Sequence, residues 1–362
     1  MALLTSQSFF DGADLHGPTA VRITEGRVVS IDPHHGECDH HLLAPGFVDL
    51  QVNGFGEIDV AGASVDGLAH LDAELAATGT TSWAGTLISA PLDRIDASLR
   101  TLSDSTSKGA VPGLLGVHLE GPFLGGAPGA HRKDRIIPID MEWLGNLPDI
   151  VRIVTLAAEQ DQAPRATALL HNKGVTVSIG HSRPTRAQFT ATVNEGASMV
   201  THVFNGMSGV QHRDGGLALW AMVDPAVTMG AIADLVHVNA DALSLIFSVD
   251  ARPRVALVSD TVGWESSWSR HAGIRIVDGA PRLPDGTLAG SSTPLALGVR
   301  NAVLRAGVSL RSSLAAATSV PATLVGSSTL GRVRVGGPAN LVLLDDDLTV
   351  VGHRRRLPSG RA

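Results

Sequence analysis

LLAPGFVDLQVN, residues 42–53, reads as a buried β-strand running into a glycine turn, with Val48, Leu50 and Val52 alternating with Asp49, Gln51 and Asn53. Seven more apolar, β-rich runs follow: TTSWAGTLIS (80–89), LLGVHLEG (114–121), VRIVTLAAE (151–159), GVTVSIGH (174–181), SMVTHVFN (198–205), VTMGAIADLVHV (227–238) and RVALVSDT (254–261). Helical patterns lie between them. One is capped at Ser64 with Leu68, Leu71 and Leu75 on a single face; another carries Leu92, Ile95, Leu99 and Leu102; a third is capped near Thr185. Eight buried strands alternating with helices predict an α/β fold, a (β/α)8 TIM-type barrel. A doubly wound sheet rarely needs eight such units, and Gly54-Phe55-Gly56 is only half of a dinucleotide fingerprint.

The chain ends do not fit the barrel. Residues 18–32 read as a hairpin turning near Glu25-Gly26, and residues 330–352 are strand-like, with turn signals at Gly336-Gly337-Pro338 and Asp345–Asp347. The expectation is a small β-sandwich built from residues 1–43 and 331–362, beside a barrel domain of residues 44–330. The basic tail HRRRLPSGRA reads as an exposed last strand and a frayed end.

Composition narrows the partners. The 362 residues carry a net charge of −7 with 44% hydrophobic residues, so the chain has ample core and no nucleic-acid footprint. Cys38 is the only cysteine, which excludes an internal disulfide. No apolar run reaches the length of a membrane span, and MALLTSQSFFDGADL lacks the basic and apolar regions of a signal peptide. A cytoplasmic location without a membrane partner is expected.

Barrel enzymes place their chemistry at the C-terminal ends of the strands. Those ends carry Gln51 and Asn53, His118-Leu119-Glu120, His181, His202 with Asn205, Asp234 with His237, and Asp260. Ionisable groups ending so many apolar strands would be costly without a purpose. Glu120, His181 and His202 supply two imidazoles and a carboxylate, the ligand set of a catalytic zinc site. Gln51 and Asn53 are poor ligands and are expected to orient the groups around the metal. Asp260 faces the metal across the mouth as the expected general base.

These residues sit in longer motifs: PGFVDLQVNG (45–54), HLEGPF (118–123), GAH (129–131), GHS (180–182), THVFNGM (201–207), HR (212–213), ADLVH (233–237), SD (259–260) and LAGS (288–291). Through them the chain resembles the amidohydrolase superfamily and, within it, the N-acetylglucosamine-6-phosphate deacetylase family, over nearly its whole length. The resemblance implies metal-dependent hydrolysis of the acetamide of N-acetylglucosamine 6-phosphate. The form with Gln-x-Asn on the first strand implies one metal, held by Glu120, His181 and His202. It implies Asp260 as base and then acid, and Ala130 and His131 against the substrate, with His131 at the amide carbonyl. Asn205 and Gly206 are implied contacts for the sugar phosphate, Arg213 and His237 for the phosphate itself, and Leu288, Ala289 and Gly290 as backbone over the sugar. A homodimer is implied as well.

The chain departs from the family at Gly206, where alanine is usual, at Leu235, where glycine is usual, and in LGGAPGAH, which lacks lysines before the Gly-Ala-His. Leu235 and Gly206 flank the expected sugar site. The rival substrates are other N-acyl amino sugars, such as N-acetylgalactosamine 6-phosphate. A non-catalytic scaffold would be expected to lose ligands or base, and all are present.

Overall fold

The computed structural model describes residues 1–249 and 252–355. All eight expected barrel strands form: β1 (Phe47–Val52), β2 (Thr80–Ile88), β3 (Leu114–Glu120), β4 (Val151–Leu156), β5 (Thr176–Ile179), β6 (Ala197–Val200), β7 (Thr228–Ile232) and β8 (Val255–Val258). They pair in chain order, every pair parallel. The sheet closes just beyond its last strand, where Asp260 N–H donates to Gln51 O at 2.9 Å and Asn53 N–H to Thr261 O at 2.7 Å. The connecting helices follow the sequence pattern. Ser64 caps Val65–Ala77, Leu68, Leu71 and Leu75 are buried, and Thr185 forms a full capping box with Gln188.

The first strand departs from simple alternation. Val48 and Leu50 join an inner cluster with Ile153, Ile232 and Val258, closed by Ala322 of the helix Ser319–Leu324. Continued alternation would send Val52 inward, yet Val52 packs in the large core beneath the helices. A register shift between Asp49 and Val52 reverses the parity and turns Gln51 into the barrel mouth.

The strands at the chain ends form one seven-stranded sheet, in the order Val350–Arg354, Leu341–Leu344, His40–Pro45, Ala2–Phe10, Thr19–Thr24 and Arg27–Pro33, with Leu15–His16 paired to Ala2–Phe10. The expected hairpin is present at Thr19–Thr24 and Arg27–Pro33. At the far edge Val28 N–H donates to Gly337 O and Ala339 N–H to Gly26 O, so the sheet closes around its own core of Leu4, Val21, Val28, Leu43 and Leu341. Period-two alternation lets the same strands serve both domains: Leu43, Leu341 and Leu343 face that small core, while Leu42, Ala44, Val342 and Leu344 join the barrel core. The basic tail is seen as the strand Val350–Arg354 and Arg355, which pairs with Asp72. Its remainder lies outside the described residues. No helix among the described residues is long and apolar enough to cross a membrane.

Candidate active site

Three mouth residues share one backbone device. His181, His202 and Asp260 each lie two residues past the end of a strand, and each takes a positive φ of 49°, 28° and 50° respectively. A non-glycine residue in that region costs about 1–3 kcal/mol and persists only where its surroundings fix it. Here bonds to the adjoining strand do so: Gly180 N–H to Leu156 O at 3.1 Å, Val203 N–H to Gly230 O at 2.7 Å, and Asp260 N–H to Gln51 O at 2.9 Å. The strain aims all three side chains into one cavity of about 720 Å³.

Glu120 is the hub. Its Oε1 lies 3.2 Å from His181 Nε2 and 2.9 Å from His202 Nε2, and it accepts from Gln51 Nε2 at 3.0 Å. Burial works to raise the Glu120 pKa, but the hydrogen bonds from His181 and His202 hold it well below the usual carboxylate range. Burial works to lower the His202 pKa, and the bond to Glu120 with its charge outweighs this, raising it to about 9. Glu120, His131 and His181 place their ligand atoms within 4.8 Å of one another, a grouping that could hold a metal.

The other ring nitrogens distinguish the histidines. His181 Nδ1 lies 3.0 Å from Ala127 O, and His202 Nδ1 lies 3.2 Å from Asn205 O. A carbonyl only accepts, so each ring donates from Nδ1, and on giving up its Nε2 proton each can turn the Nε2 lone pair toward a cation. His131 is opposite. Its Nδ1 receives the Ser89 N–H at 3.4 Å and sits 2.9 Å from Ser89 Oγ. Its proton therefore belongs on Nε2, which makes it a donor into the cavity. Burial, helped by the charge of His181, pushes the His131 pKa down to about 3, so the ring stays neutral.

Asp260 completes the centre. Its Oδ1 accepts from Asn53 Nδ2 at 2.8 Å and from Gln51 Nε2 at 3.1 Å. Burial and the charge of Glu120 raise its pKa to about 7. Gln51 Oε1 and Asn53 Oδ1 are buried without a partner. An unmade bond at such an atom costs about 1–3 kcal/mol, so the site is built to be completed by a bound group. The donor set, one carboxylate with imidazole nitrogens, fits a divalent cation of the zinc type.

Ala130, Asn205, Gly206, His237, Leu288, Ala289 and Gly290 all line the cavity. Arg213 does not. It is exposed on the turn closed by Gln211 and Gly215 and is not among the lining residues. His237 Nδ1 lies 2.7 Å from Asp234 Oδ2, while Asp234 Oδ1 takes the backbone N–H groups of Val236 and His237. His118 is a core residue, fully buried between Leu50 O and Thr155 Oγ1. Two departures acquire physical content. Leu235 occupies φ 66°, which glycine would take without strain. At Gly206, φ 56°, an added Cβ would stand 2.8 Å from His181 Nδ1.

Sequence reasoning passed over Glu159, the last residue of the fourth apolar run. Its carboxylate accepts Gly126 N–H and Arg183 N–H, each at 2.8 Å, and the Ser182 hydroxyl. It thereby ties the loop that presents Ala127 O and His131 to the segment after His181. An amide offers one acceptor oxygen and presents donors where the other oxygen stood. Glu159→Gln is therefore expected to weaken metal affinity by about 10–100-fold, the usual loss for a group that orients a ligand. Titration with a competing chelator reads this directly; an unchanged affinity would remove Glu159 from the site.

A (β/α)8 barrel gathering a Glu/His/His cluster and a buried carboxylate at its mouth defines a metal-dependent hydrolase. Residues 42–358 match the Amidohydrolase family, and the chain belongs to that family. Among similar proteins, an N-acetylgalactosamine-6-phosphate deacetylase from Escherichia coli O157:H7 is 32% identical over 96% of this chain and 94% of its own length. An N-acetylglucosamine-6-phosphate deacetylase from Bos taurus is 33% identical over 96% of this chain and 90% of its own. Among solved structures, an aspartate-to-alanine mutant of N-acetyl-D-glucosamine-6-phosphate deacetylase from Mycobacterium smegmatis, in complex with N-acetyl-D-glucosamine-6-phosphate, matches with a TM-score of 0.90 at 28% identity over 98% of both chains. The resemblance expected from the motifs is borne out.

Proposed function

We propose that this protein hydrolyses the acetamide of N-acetyl-D-glucosamine 6-phosphate, giving glucosamine 6-phosphate and acetate, with one zinc-type cation held by Glu120, His181 and His202. The observation that carries the reading is the division of labour in one cavity. Two imidazoles turn Nε2 toward the same oxygen of Glu120, a third imidazole is a neutral N–H donor, and Asp260 titrates near neutrality. The same proton placement supports His202 over His131 as a ligand. Glu120, His181 and His202 would hold that cation, which when bound would acidify a water and polarise the amide carbonyl.

The chain's residues supply the remaining steps. Asp260 Oδ1 is occupied by the two amide donors, leaving Oδ2 to take the proton of the attacking water and pass it to the departing nitrogen. His131 Nε2–H is placed to donate to the oxygen that gains charge in the tetrahedral intermediate. Ala130 and Leu288–Gly290 form the wall around the sugar. His237, with Asp234 behind it, offers Nε2 to the phosphate. A second reading, N-acetylgalactosamine 6-phosphate as preferred substrate, draws on the Escherichia coli relative, an N-acetylgalactosamine-6-phosphate deacetylase, and on Gly206, which lines the cavity where alanine is usual.

Acetate release from the two phosphorylated sugars and their free forms tests both readings. The glucosamine derivative is expected to give the highest kcat/KM. A higher value for its epimer would move the assignment to the second reading, and inactivity on both would end it. Elemental analysis should find one tightly held cation per chain; two equivalents would refute the single-metal site.

A further inference from the structure

We infer that Asp49, buried beneath the barrel mouth, is a positioning residue that sets both the Gln51 amide and the base Asp260. The inference rests on the deacetylase reading for the role of Asp260 and goes beyond it in assigning Asp49. Asp49 is buried and is not among the residues that line the cavity, so it acts only through its neighbours. Its Oδ1 accepts two backbone N–H groups, from Gln51 at 3.2 Å and from Ser259 at 3.1 Å. One oxygen thus holds the residue of β1 that turns into the mouth and the residue that precedes Asp260 after β8.

The two bonds have different effects. The first joins a side chain to the N–H two residues on, the local bond by which aspartate shapes a turn. It spans the register shift between Asp49 and Val52 that sends Gln51 inward. Gln51 Nε2 then reaches Glu120 Oε1 at 3.0 Å and Asp260 Oδ1 at 3.1 Å. The second bond crosses the seam of the barrel. Ladders join β1 to β8 in chain order, but none joins β8 back to β1. A ladder would give the Ser259 N–H a backbone carbonyl; here the Asp49 carboxylate takes that place. Asp260 comes next, at its positive φ of 50°, a conformation that persists only where its surroundings fix it.

A carboxylate is an unfavourable choice for stability at this place. Asp49 Oδ2 is buried without a partner, and burial raises the pKa of the group to about 6. Its neighbours Val48 and Leu50 both belong to the inner apolar cluster, so alternation turns Asp49 away from that cluster. What the side chain supplies is an acceptor that reaches two N–H groups on two strands. Asparagine offers the same oxygen without the charge. Serine ends one bond short of it: its hydroxyl can still take the N–H two residues on, more weakly, but loses the reach to Ser259. Alanine offers no acceptor.

The experiment compares wild type, Asp49→Asn, Asp49→Ser and Asp49→Ala by zinc affinity against a competing chelator, by Tm, and by kcat and KM on N-acetylglucosamine 6-phosphate at saturating zinc. A displacement of about 1 Å in a reacting group costs about 100-fold in rate, and a lost orienting group about 10–100-fold in metal affinity. Asp49→Ala is expected to lose kcat and zinc affinity by about those factors with KM little changed, Asp49→Asn to keep both near wild type, and Asp49→Ser to fall between. If Asp49→Ala does not fold, the order of Asp49→Asn above Asp49→Ser carries the same test. An alanine or serine variant that loses only Tm, with kcat and zinc affinity kept, would make Asp49 a brace of the seam and overturn the proposal. So would an asparagine variant as impaired as the alanine or serine one, since charge rather than the acceptor would then matter. A wild type inactive on the phosphorylated sugar would overturn the deacetylase reading itself, while the zinc affinities of the four proteins would still show whether Asp49 sets Gln51.

Discussion

Asp260→Asn is expected to leave a folded, metal-binding protein whose kcat/KM is lower by about 10²–10⁴-fold. The amide is nearly isosteric with the carboxylate. Its oxygen can take the place of Oδ1 and keep the donors from Gln51 and Asn53, at 3.1 and 2.8 Å. Its nitrogen then replaces Oδ2 and cannot accept a proton. Stability should not suffer. Asp260 is buried, and its pKa is raised to about 7 by burial and by the charge of Glu120, so its ionised form opposes folding. Removing that charge is expected to hold or raise Tm. Activity, Tm and metal content measured on one preparation separate the outcomes. A variant that keeps a large part of wild-type turnover would show Asp260 to be a structural acceptor for the two amides.

Glu120→Gln is expected to cost at least about 100-fold in metal affinity and to abolish turnover, since an amide is a poor ligand and losses of that order already follow at groups one step removed from a metal. The metal-free protein adds a readout independent of activity. In wild type, His202 has its pKa raised from 6.5 to about 9, against burial, by Glu120. The stability this contributes is fully present below pH 6.5 and lost as pH rises through about 9. Glu120, held below its ordinary 4.5, contributes stability above that value and loses it as pH falls through its depressed pKa. Metal-free wild type should therefore lose Tm between about pH 6.5 and 9, whereas Glu120→Gln should be flat there. Parallel alkaline profiles for the two proteins would refute the pairing.

Most of the fold was legible because its signals are local. Each barrel strand is an apolar run bounded by turn residues, and helices such as Val65–Ala77 carry a cap and a buried face within one stretch, Ser64 with Leu68, Leu71 and Leu75. The site's acids and histidines were legible for a related reason: polar residues ending apolar strands of a barrel must meet at its mouth. Glu159 was passed over because its three partners, Gly126, Ser182 and Arg183, lie 23 to 33 residues away and share no pattern with it. Gln51 followed an alternation that a bulge then reversed, and a one-residue register shift leaves no mark in composition.

The sequence by itself determined the architecture and the acids and histidines that meet at the barrel mouth, because periodicity and residue type carry them. Only the tertiary structure decided which nitrogen of each histidine bears its proton, since Ala127 O, Asn205 O and Ser89 make that choice across long separations. It also decided which arginines line the cavity, Arg132 and Arg282. Arg213 and Arg282 are chemically equal as letters, but one lies on an exposed turn while the other is strapped by backbone hydrogen bonds to the cavity wall. A guanidinium acts on an anion only through direct contact and short-range charge, so position, which the fold alone supplies, sets its role.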